Sequence, residues 1–311
     1  MMQEWFVVHP EIETALADSQ PVVALESTVI THGLPAPTNL ETAQAMEEAV
    51  RRAGAIPATI AIIEGKICIG LSADQLSYLA ALPGPAVRKC SRRDLPLVVA
   101  RRENGATTVA GTMILAHLAG IPVFATGGIG GVHRGHAFDI SADLTELGRT
   151  PVTVVCSGPK AILDLSATRE VLETNGVPVI GYETDEMPAF YTAQSGFGVD
   201  SRVDTPVEVA HIIQMRNEMS LASGILVTVP VPAGAAGDPG LMESAIITAT
   251  AEADAQGIHG PAATPWLLER VATLTAGQSL RANQALLANN ARIAGMISVA
   301  LSSGNMAKNQ A

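Results

Sequence analysis

Four nearly unbroken apolar runs constrain this chain more than any other feature: Ile121–Ala125, Val152–Cys156, Val177–Ile180 and Gly224–Val229. Runs this short, without polar alternation, suit strands buried on both faces of a helix-covered parallel sheet. Helical spacing separates the second run from the third, and a helix over Val207–Ser220 precedes the fourth. Upstream, Val22–Leu25 reads as a strand and Asn39–Ala53 as a helix stopped by Gly54. Pro57–Ile63 is expected to pair with Lys66–Ile69 across the Glu64-Gly65 turn. Ser91–Arg101 and Thr107–Ala119 read as helices, the second closed by Gly120. This alternation predicts an α/β fold, a layered α/β/α arrangement around a largely parallel central sheet.

The Pro- and Gly-rich stretch Val229–Gly240 interrupts the alternation. Beyond it, Met242–Gln256, Ala263–Leu274 and Leu280–Leu301 are helical with no strand between them. We read residues 1–311 as one domain, with residues 1–20 as an N-terminal extension and residues 241–311 as a helical cover. A hydrophobic share of 48% against 3% aromatic residues means that aliphatic side chains must fill the core. A net charge of −11 argues against nucleic acid as a partner. Cys68, Cys90 and Cys156 lie in or beside apolar runs and form no CxxC pair, which predicts reduced, buried thiols. The N-terminus shows no signal-type apolar core, and no uncharged run is long enough to span a bilayer. The expectation is a soluble, cytoplasmic protein without a membrane partner.

Ligands of open α/β sheets collect at the carboxyl ends of the strands. On that rule Glu26–Thr28, Thr126–Arg134, Ser157–Lys160 and Gly181–Glu186 should converge. In ATGGIGGVHRG (Ala125–Gly135) His133 stands where a dinucleotide fingerprint needs its third glycine, and no Walker motif exists. The run is either a backbone cradle for an anion or sugar, or a structural turn. In FDISADL, Asp139 and Asp143 would share one face of a helix beginning there. Asp139 is then an N-cap, or the sparse ligand of a hard cation such as Mn²⁺ or Mg²⁺. RKCSRRD (Arg88–Asp94) is a solvated helix start or, through Lys89 and Ser91, a phosphate contact. Thr107 and Thr108 at a helix start offer a second anion site.

Glu26, closing the strand VVALE, is an acid–base candidate or a satisfied structural carboxylate. Lys160 is one of only four lysines and follows a buried strand. Burial, and the positive end of a helix starting near Ala161, would favour its neutral amine, which can form a Schiff base. The alternative is an exposed lysine at a helix start, where the macrodipole disfavours a cation.

Seven segments together resemble the pseudouridine-5′-phosphate glycosidase family, also called indigoidine-synthase-A-like. They are ALESTVITHGLPAP, PATIAII, RKCSRRDLP, GATTVAGTMILAHLAGIPVFATGGIGGVHRG, FDISADL, VTVVCSGPKAILD and VLETNGVPVIGY. The resemblance runs from about Pro21 to Phe197 and resumes over Thr264–Ala291. It implies a homotrimeric α/β enzyme that reversibly cleaves the carbon–carbon bond between C1 of ribose 5-phosphate and uracil. It assigns Lys160 as the Schiff-base lysine, Glu26 as the acid–base carboxylate and Asp139 as the ligand of a divalent metal, typically manganese. Lys89, Thr108, Val109, His133, Ser141, Ala142 and Asp143 match substrate-binding positions, and Asn283 matches an asparagine near the base.

Four departures stand out. HRGHAFD is two residues shorter than the family's usual HRGAEHTFD, and SGPK replaces AGAK. VTVPVPAG carries Val229 where an ANPIP-like segment has asparagine, and GPAATP lacks a Lys-Glu pair. Because the altered loops are expected to border the aglycone, the sequence leans toward a C-glycosynthase joining ribose 5-phosphate to a larger aromatic natural-product aglycone, as in antibiotic biosynthesis. The rivals are pseudouridine-5′-phosphate glycosidase activity releasing uracil, and a non-catalytic sugar-phosphate-binding protein. The second would predict loss of Lys160 or Glu26, yet both are present.

Overall fold

The computed structural model describes residues 4–258, 260 and 263–309. Its main sheet runs in the order β1 (Phe6–Val8), β4 (Lys66–Ile69), β3 (Ile56–Ile63), β2 (Val22–Leu25), β7 (Val123–Ala125), β10 (Thr153–Cys156), β14 (Ile225–Thr228), β12 (Val179–Tyr182), β13 (Ser201–Val203). From β3 to β13 every neighbour along that path is parallel. The antiparallel β3–β4 hairpin turns at Glu64 and Gly65, both with positive φ, as the sequence predicts. On the side of β3, β6 (Gly105–Thr107) pairs antiparallel with β3 and parallel with β5 (Arg88–Cys90). A separate three-stranded sheet joins β11 (Leu163–Asp164), β8 (Val132–His133) and β9 (His136–Ile140).

Side-chain alternation along the central strands sorts the core into two layers. Val23, Leu25, Val123 and Ala125 pack with α2 (Thr38–Arg52), α8 (Pro206–Glu218) and the C-terminal helices. Val22, Ala24, Phe124 and Val154 pack instead toward α5 (Val109–Ala119), α6 (Ala142–Leu147) and α7 (Leu165–Thr174). The cover consists of α9 (Pro239–Ala255), α10 (Ala263–Leu274) and α11 (Gln278–Asn309). α11 lies across β2, β7 and β10 and against α2 and α8. Its apolar stretch 278–304 is long enough to cross a bilayer, but 56% of that window is buried inside the fold, as befits a core helix.

The sequence omitted α1 (Pro10–Ala17), α3 (Ala73–Ala81) and most of the short strands. β1 is a three-residue strand and α1 an eight-residue helix, both too short to show a period clearly. Three of its boundaries also need correction. The helix expected over Ser91–Arg101 is only α4 (Leu95–Ala100), because Ser91 N–H bonds the Asp94 carboxylate at 3.0 Å and closes a turn before it. Thr107 ends β6, and α5 begins after Thr108, whose hydroxyl accepts from Gly111 N–H at 3.2 Å. Asp139 lies in β9 and is not an N-cap: Ser141 caps α6, so Asp139 and Asp143 do not share a helical face.

Candidate active site

Glu26, Thr126 and Lys160 follow the three adjacent central strands β2, β7 and β10, and all three line one cleft of about 840 Å³. Three of the four segments expected to converge do so. Gly181–Glu186 does not: β12 lies two strands beyond β10, and none of those residues lines the cleft.

The two loops that carry the centre are bonded to each other beyond the ends of their strands. Ser157 N–H donates to Gly127 O at 2.9 Å, Ile129 N–H to Gly158 O at 3.1 Å, and Lys160 N–H to Ile129 O at 3.1 Å. These bonds give the glycine run a structural role, and its Gly127, Gly128 and Gly130 also line the cleft. Gly158 is required twice over: its φ is +83°, and a Cβ there would stand 2.3 Å from Pro188 O. Lys160 is half-buried. No helix starts at Ala161; a turn and β11 intervene, and α7 begins at Leu165 under an Asp164 cap. The macrodipole part of the sequence argument therefore fails.

Glu26 is 7% exposed and accepts a hydrogen bond from the Thr126 hydroxyl. Burial pushes its carboxyl above the ordinary carboxylate range, against the opposing pull of the Lys160 charge and the Thr126 bond. That combination can hold a proton for transfer, which a solvated glutamate at neutral pH cannot.

At one end of the cleft, β5 presents Lys89 beside the starts of α5 and α6. Burial pulls the Lys89 ammonium below its usual range, with the neighbouring Lys160 charge acting in the same direction. Thr108, Val109, Ser141, Ala142 and Asp143 line the cleft with it. Asp143 is nevertheless not a free carboxylate: its oxygens accept from Ala110 N–H at 2.9 Å and Gly130 N–H at 2.8 Å. It ties α5 to the glycine run, and a Cβ on Gly130 would fall 2.2 Å from Ser141 Oγ. The N–H of Val109, first in α5, belongs to the group that helix geometry leaves without an intrahelical acceptor. Arg92, Arg93 and Arg149 complete this cationic end. Glu146 holds Arg92 through two bonds of 2.8 and 2.6 Å.

The more apolar part of the lining comes from Val29, Phe190, Leu268, Leu287 and Asn283, while His32 lies nearer the Lys89 side of the cleft. Asn283 projects from α11 and is 7% exposed. Burial, followed by the Lys89 charge, lowers the His32 pKa, so its imidazole is readily neutral. Sequence reasoning missed His32, Phe190, Leu268 and Leu287 as cleft residues, since sequence proximity does not bring them together. Of the departures, HRGHAFD forms the β8–β9 hairpin and contributes His133 and Asp139 to the cleft. Gly260, Thr264 and Pro265 of GPAATP also line it, while Pro261 and Ala262 lie outside the described residues. Val229 is a correction: it is buried in the core, its N–H bonds Cys156 O at 2.8 Å, and it does not border the cleft.

Asp139 lines the cleft half-buried beside His133. Among the described residues, no three His, Cys, Asp or Glu side chains gather as a metal set. A single carboxylate facing a wet cleft suits a hard cation that keeps most of its waters; it does not suit a zinc-type site. The three cysteines are free and buried, and burial raises the Cys90 and Cys156 thiols to about 12, which makes them poor nucleophiles.

A helix-covered parallel sheet with a lysine and a buried carboxylate at the mouths of its central strands defines an α/β protein whose candidate active site lies at the strand ends. The family model described as Indigoidine synthase A like protein matches residues 11–300, and the chain belongs to that family. It is 54% identical over 303 residues to the pseudouridine-5′-phosphate glycosidase of Caldanaerobacter subterraneus subsp. tengcongensis, covering 97% of this chain and 98% of the relative. It is 54% identical over 280 residues to the Escherichia coli (strain K12) protein of the same name, covering 89% of each. The crystal structure of the prealnumycin C-glycosynthase AlnA in complex with ribulose 5-phosphate superposes with a TM-score of 0.89. Identity to AlnA is 41%, over 98% of this chain and 99% of that one.

Proposed function

We propose that this protein cleaves and forms the C–C glycosidic bond of pseudouridine 5′-phosphate. One observation carries the choice of uracil over a wholly apolar aglycone. Asn283 brings an amide, with both a donor and an acceptor, into an otherwise largely apolar end of the cleft. An amide matches the alternating C=O and N–H edge of a pyrimidinedione, and a site built to bond such an edge discriminates strongly. The identity of 54% to relatives named for this activity, against 41% to the C-glycosynthase, weighs the same way.

In this reading the phosphate sits at the end formed by Lys89, Thr108, the Val109 N–H and the start of α6, with Lys160 facing C1. Lys160 attacks C1 through its side-chain nitrogen; the C1–N bond forms, the C1–O4 bond breaks, and the proton that the new C1–N nitrogen sheds passes to O4, leaving a lone pair on that nitrogen. Glu26 then gives its proton to the uracil carbon while the C1–C bond breaks. The pair from that bond stays with the ring, and the lysine nitrogen lone pair closes the C=N bond. Uracil leaves, and water hydrolyses the imine to free Lys160 and ribose 5-phosphate. A carbon leaving group needs this electron sink, because there is no leaving nitrogen to protonate. A hard divalent cation at Asp139, Mn²⁺ or Mg²⁺, would supply positive charge near the substrate's oxygens.

A second reading, synthesis of a C-glycoside on a larger aromatic aglycone, is favoured by the apolar wall of Val29, Leu268 and Leu287 and by the likeness to AlnA. The test is uracil release from pseudouridine 5′-phosphate with Mn²⁺, together with borohydride trapping of ribose 5-phosphate on Lys160. Release and an adduct at Lys160 are expected. An adduct without release transfers the case to the C-glycosynthase reading, and absence of both sinks the lysine mechanism.

A further inference from the structure

Asn290 lies two helical turns beyond Asn283 on α11 and is completely buried. It does not line the cleft. A buried primary amide on the apolar side of a core helix is costly unless its hydrogen bonds are made. Here they are made to the two loops that carry the reacting groups. Its Nδ2 donates to Thr126 O at 2.9 Å and approaches Gly127 O at 3.4 Å. The same amide meets Ser157 Oγ, at 3.1 Å from Nδ2 and 3.3 Å from Oδ1.

Each partner leads directly to one member of the proposed pair. Thr126 is the residue whose hydroxyl bonds Glu26. Ser157 opens the turn that ends at Lys160, and its own carbonyl accepts from Phe190 N–H at 3.0 Å. We propose that Asn290 is a positioning residue that clamps the ends of β7 and β10 together from beneath and so fixes Glu26 against Lys160. The proposal rests on reading those two groups as the reacting pair. Main-chain bonds join the two loops further out, and the Asn290 amide adds a side-chain tie at the first residue after each strand, Thr126 and Ser157. A misplacement of about 1 Å at a covalent centre is enough to cost roughly 100-fold in rate.

The test compares Asn290→Leu and Asn290→Asp with a control elsewhere on α11. Leucine keeps the bulk, and aspartate keeps the shape but loses the Nδ2 donor. The control is Ser298→Ala, which removes a buried bond from Ser298 Oγ to Val22 O (3.1 Å) remote from the loop clamp. Both Asn290 variants are expected to lower kcat and the borohydride trapping rate by about 10- to 100-fold, with KM within about twofold. Ser298→Ala should lower Tm and leave kcat and trapping intact. Should the Asn290 variants not fold, Ser157→Ala removes the clamp from the opposite side and is expected to show the same loss of kcat. Variants that lower Tm like the control but keep wild-type kcat and trapping overturn the proposal, and so does an unaffected Ser157→Ala. A wild-type protein that neither releases uracil nor traps ribose 5-phosphate fails the functional reading itself, a result distinct from these.

Discussion

The two ends of the cleft are built on opposite plans. The cationic end takes Lys89 from β5, Thr108 and Val109 from the start of α5, and Ser141 to Asp143 from the start of α6. Its polar groups are bonded to one another: Asp143 to two backbone N–H groups, Thr108 to Gly111, Glu146 to Arg92. The other end draws on the segment after β2, on Phe190, and on helices α10 and α11. It offers apolar surface and few polar groups, Asn283 foremost. The first end is preorganised for one fixed charge; the second can change its contents without disturbing a hydrogen-bond network. On the function proposed above, the first end would hold the sugar phosphate and the second the aglycone, which suits a chain similar both to pseudouridine-5′-phosphate glycosidases and to a C-glycosynthase.

Glu26 and Lys160 stand where the two ends meet, so changes there should affect both. Glu26→Gln keeps an acceptor for the Thr126 hydroxyl but has no proton to give. Loss of a positioned acid is expected to lower kcat by about 10² to 10⁴, for cleavage and synthesis alike. The wild-type pH profile carries a sign as well. The raised Glu26 pKa keeps its proton to higher pH than an ordinary glutamate, so activity dependent on that proton should fall on the alkaline limb. A profile falling instead on the acid side, as pH drops through that same raised pKa, would assign Glu26 the role of base in the limiting step.

Lys89→Ala tests the cationic end alone. A charge-assisted bond to phosphate is worth about 1.5–3 kcal/mol, so KM should rise by roughly 10- to 100-fold. The loss should appear equally in pseudouridine 5′-phosphate cleavage and in trapping of ribose 5-phosphate. Because burial and Lys160 lower the Lys89 pKa, wild-type KM should also climb at a lower pH than a surface lysine would dictate. An unchanged KM for both ligands would remove Lys89 from the phosphate site.

Asn283→Leu tests the opposite end. One neutral hydrogen bond is worth about 0.5–1.5 kcal/mol, so cleavage of pseudouridine 5′-phosphate should weaken by roughly 2- to 10-fold. Trapping of ribose 5-phosphate, which has no aglycone, should not change. Equal losses in both assays would erase the distinction between the two ends.

The same contrast explains what the sequence made legible. The apolar runs identified every central strand to within about two residues, because burial on both faces leaves a signal in each short segment. Lys89, Thr108, Asp139, Asp143 and Lys160 all came from local motifs at element ends, and all of them line the cleft. Leu268 and Leu287 are indistinguishable in sequence from the core leucines of α10 and α11. Only the lie of those helices across the strand ends makes them cleft residues. Asn290 did leave a trace, an amide seven residues from Asn283 within the apolar LANNARIAG. Its partners, however, are about 130 and 160 positions away. The helix expected at Ala161 failed for a related reason: Leu163 and Asp164 pair with the β8 strand, a contact invisible to local spacing.

The smallest expected effect lies behind the cationic end. Glu146 has only 2% of its side chain exposed, whereas Arg92, its partner, has 52%. Breaking the pair therefore leaves a guanidinium that can turn into water, and the penalty of a stranded buried charge largely disappears. Glu146→Gln keeps one acceptor but puts an amide donor against the guanidinium, so the two-pronged grip on the Ser91–Arg93 turn is lost. If that turn serves only to frame the phosphate, KM should rise by a few-fold, less than for Lys89→Ala, while kcat and trapping at saturating ribose 5-phosphate stay unchanged. Arg92→Lys should reproduce the same shift, because lysine cannot make the paired contact. A fall in kcat with KM constant would show instead that the Arg92–Glu146 pair supports the Lys160 centre, and the division of the cleft into two independent ends would no longer stand.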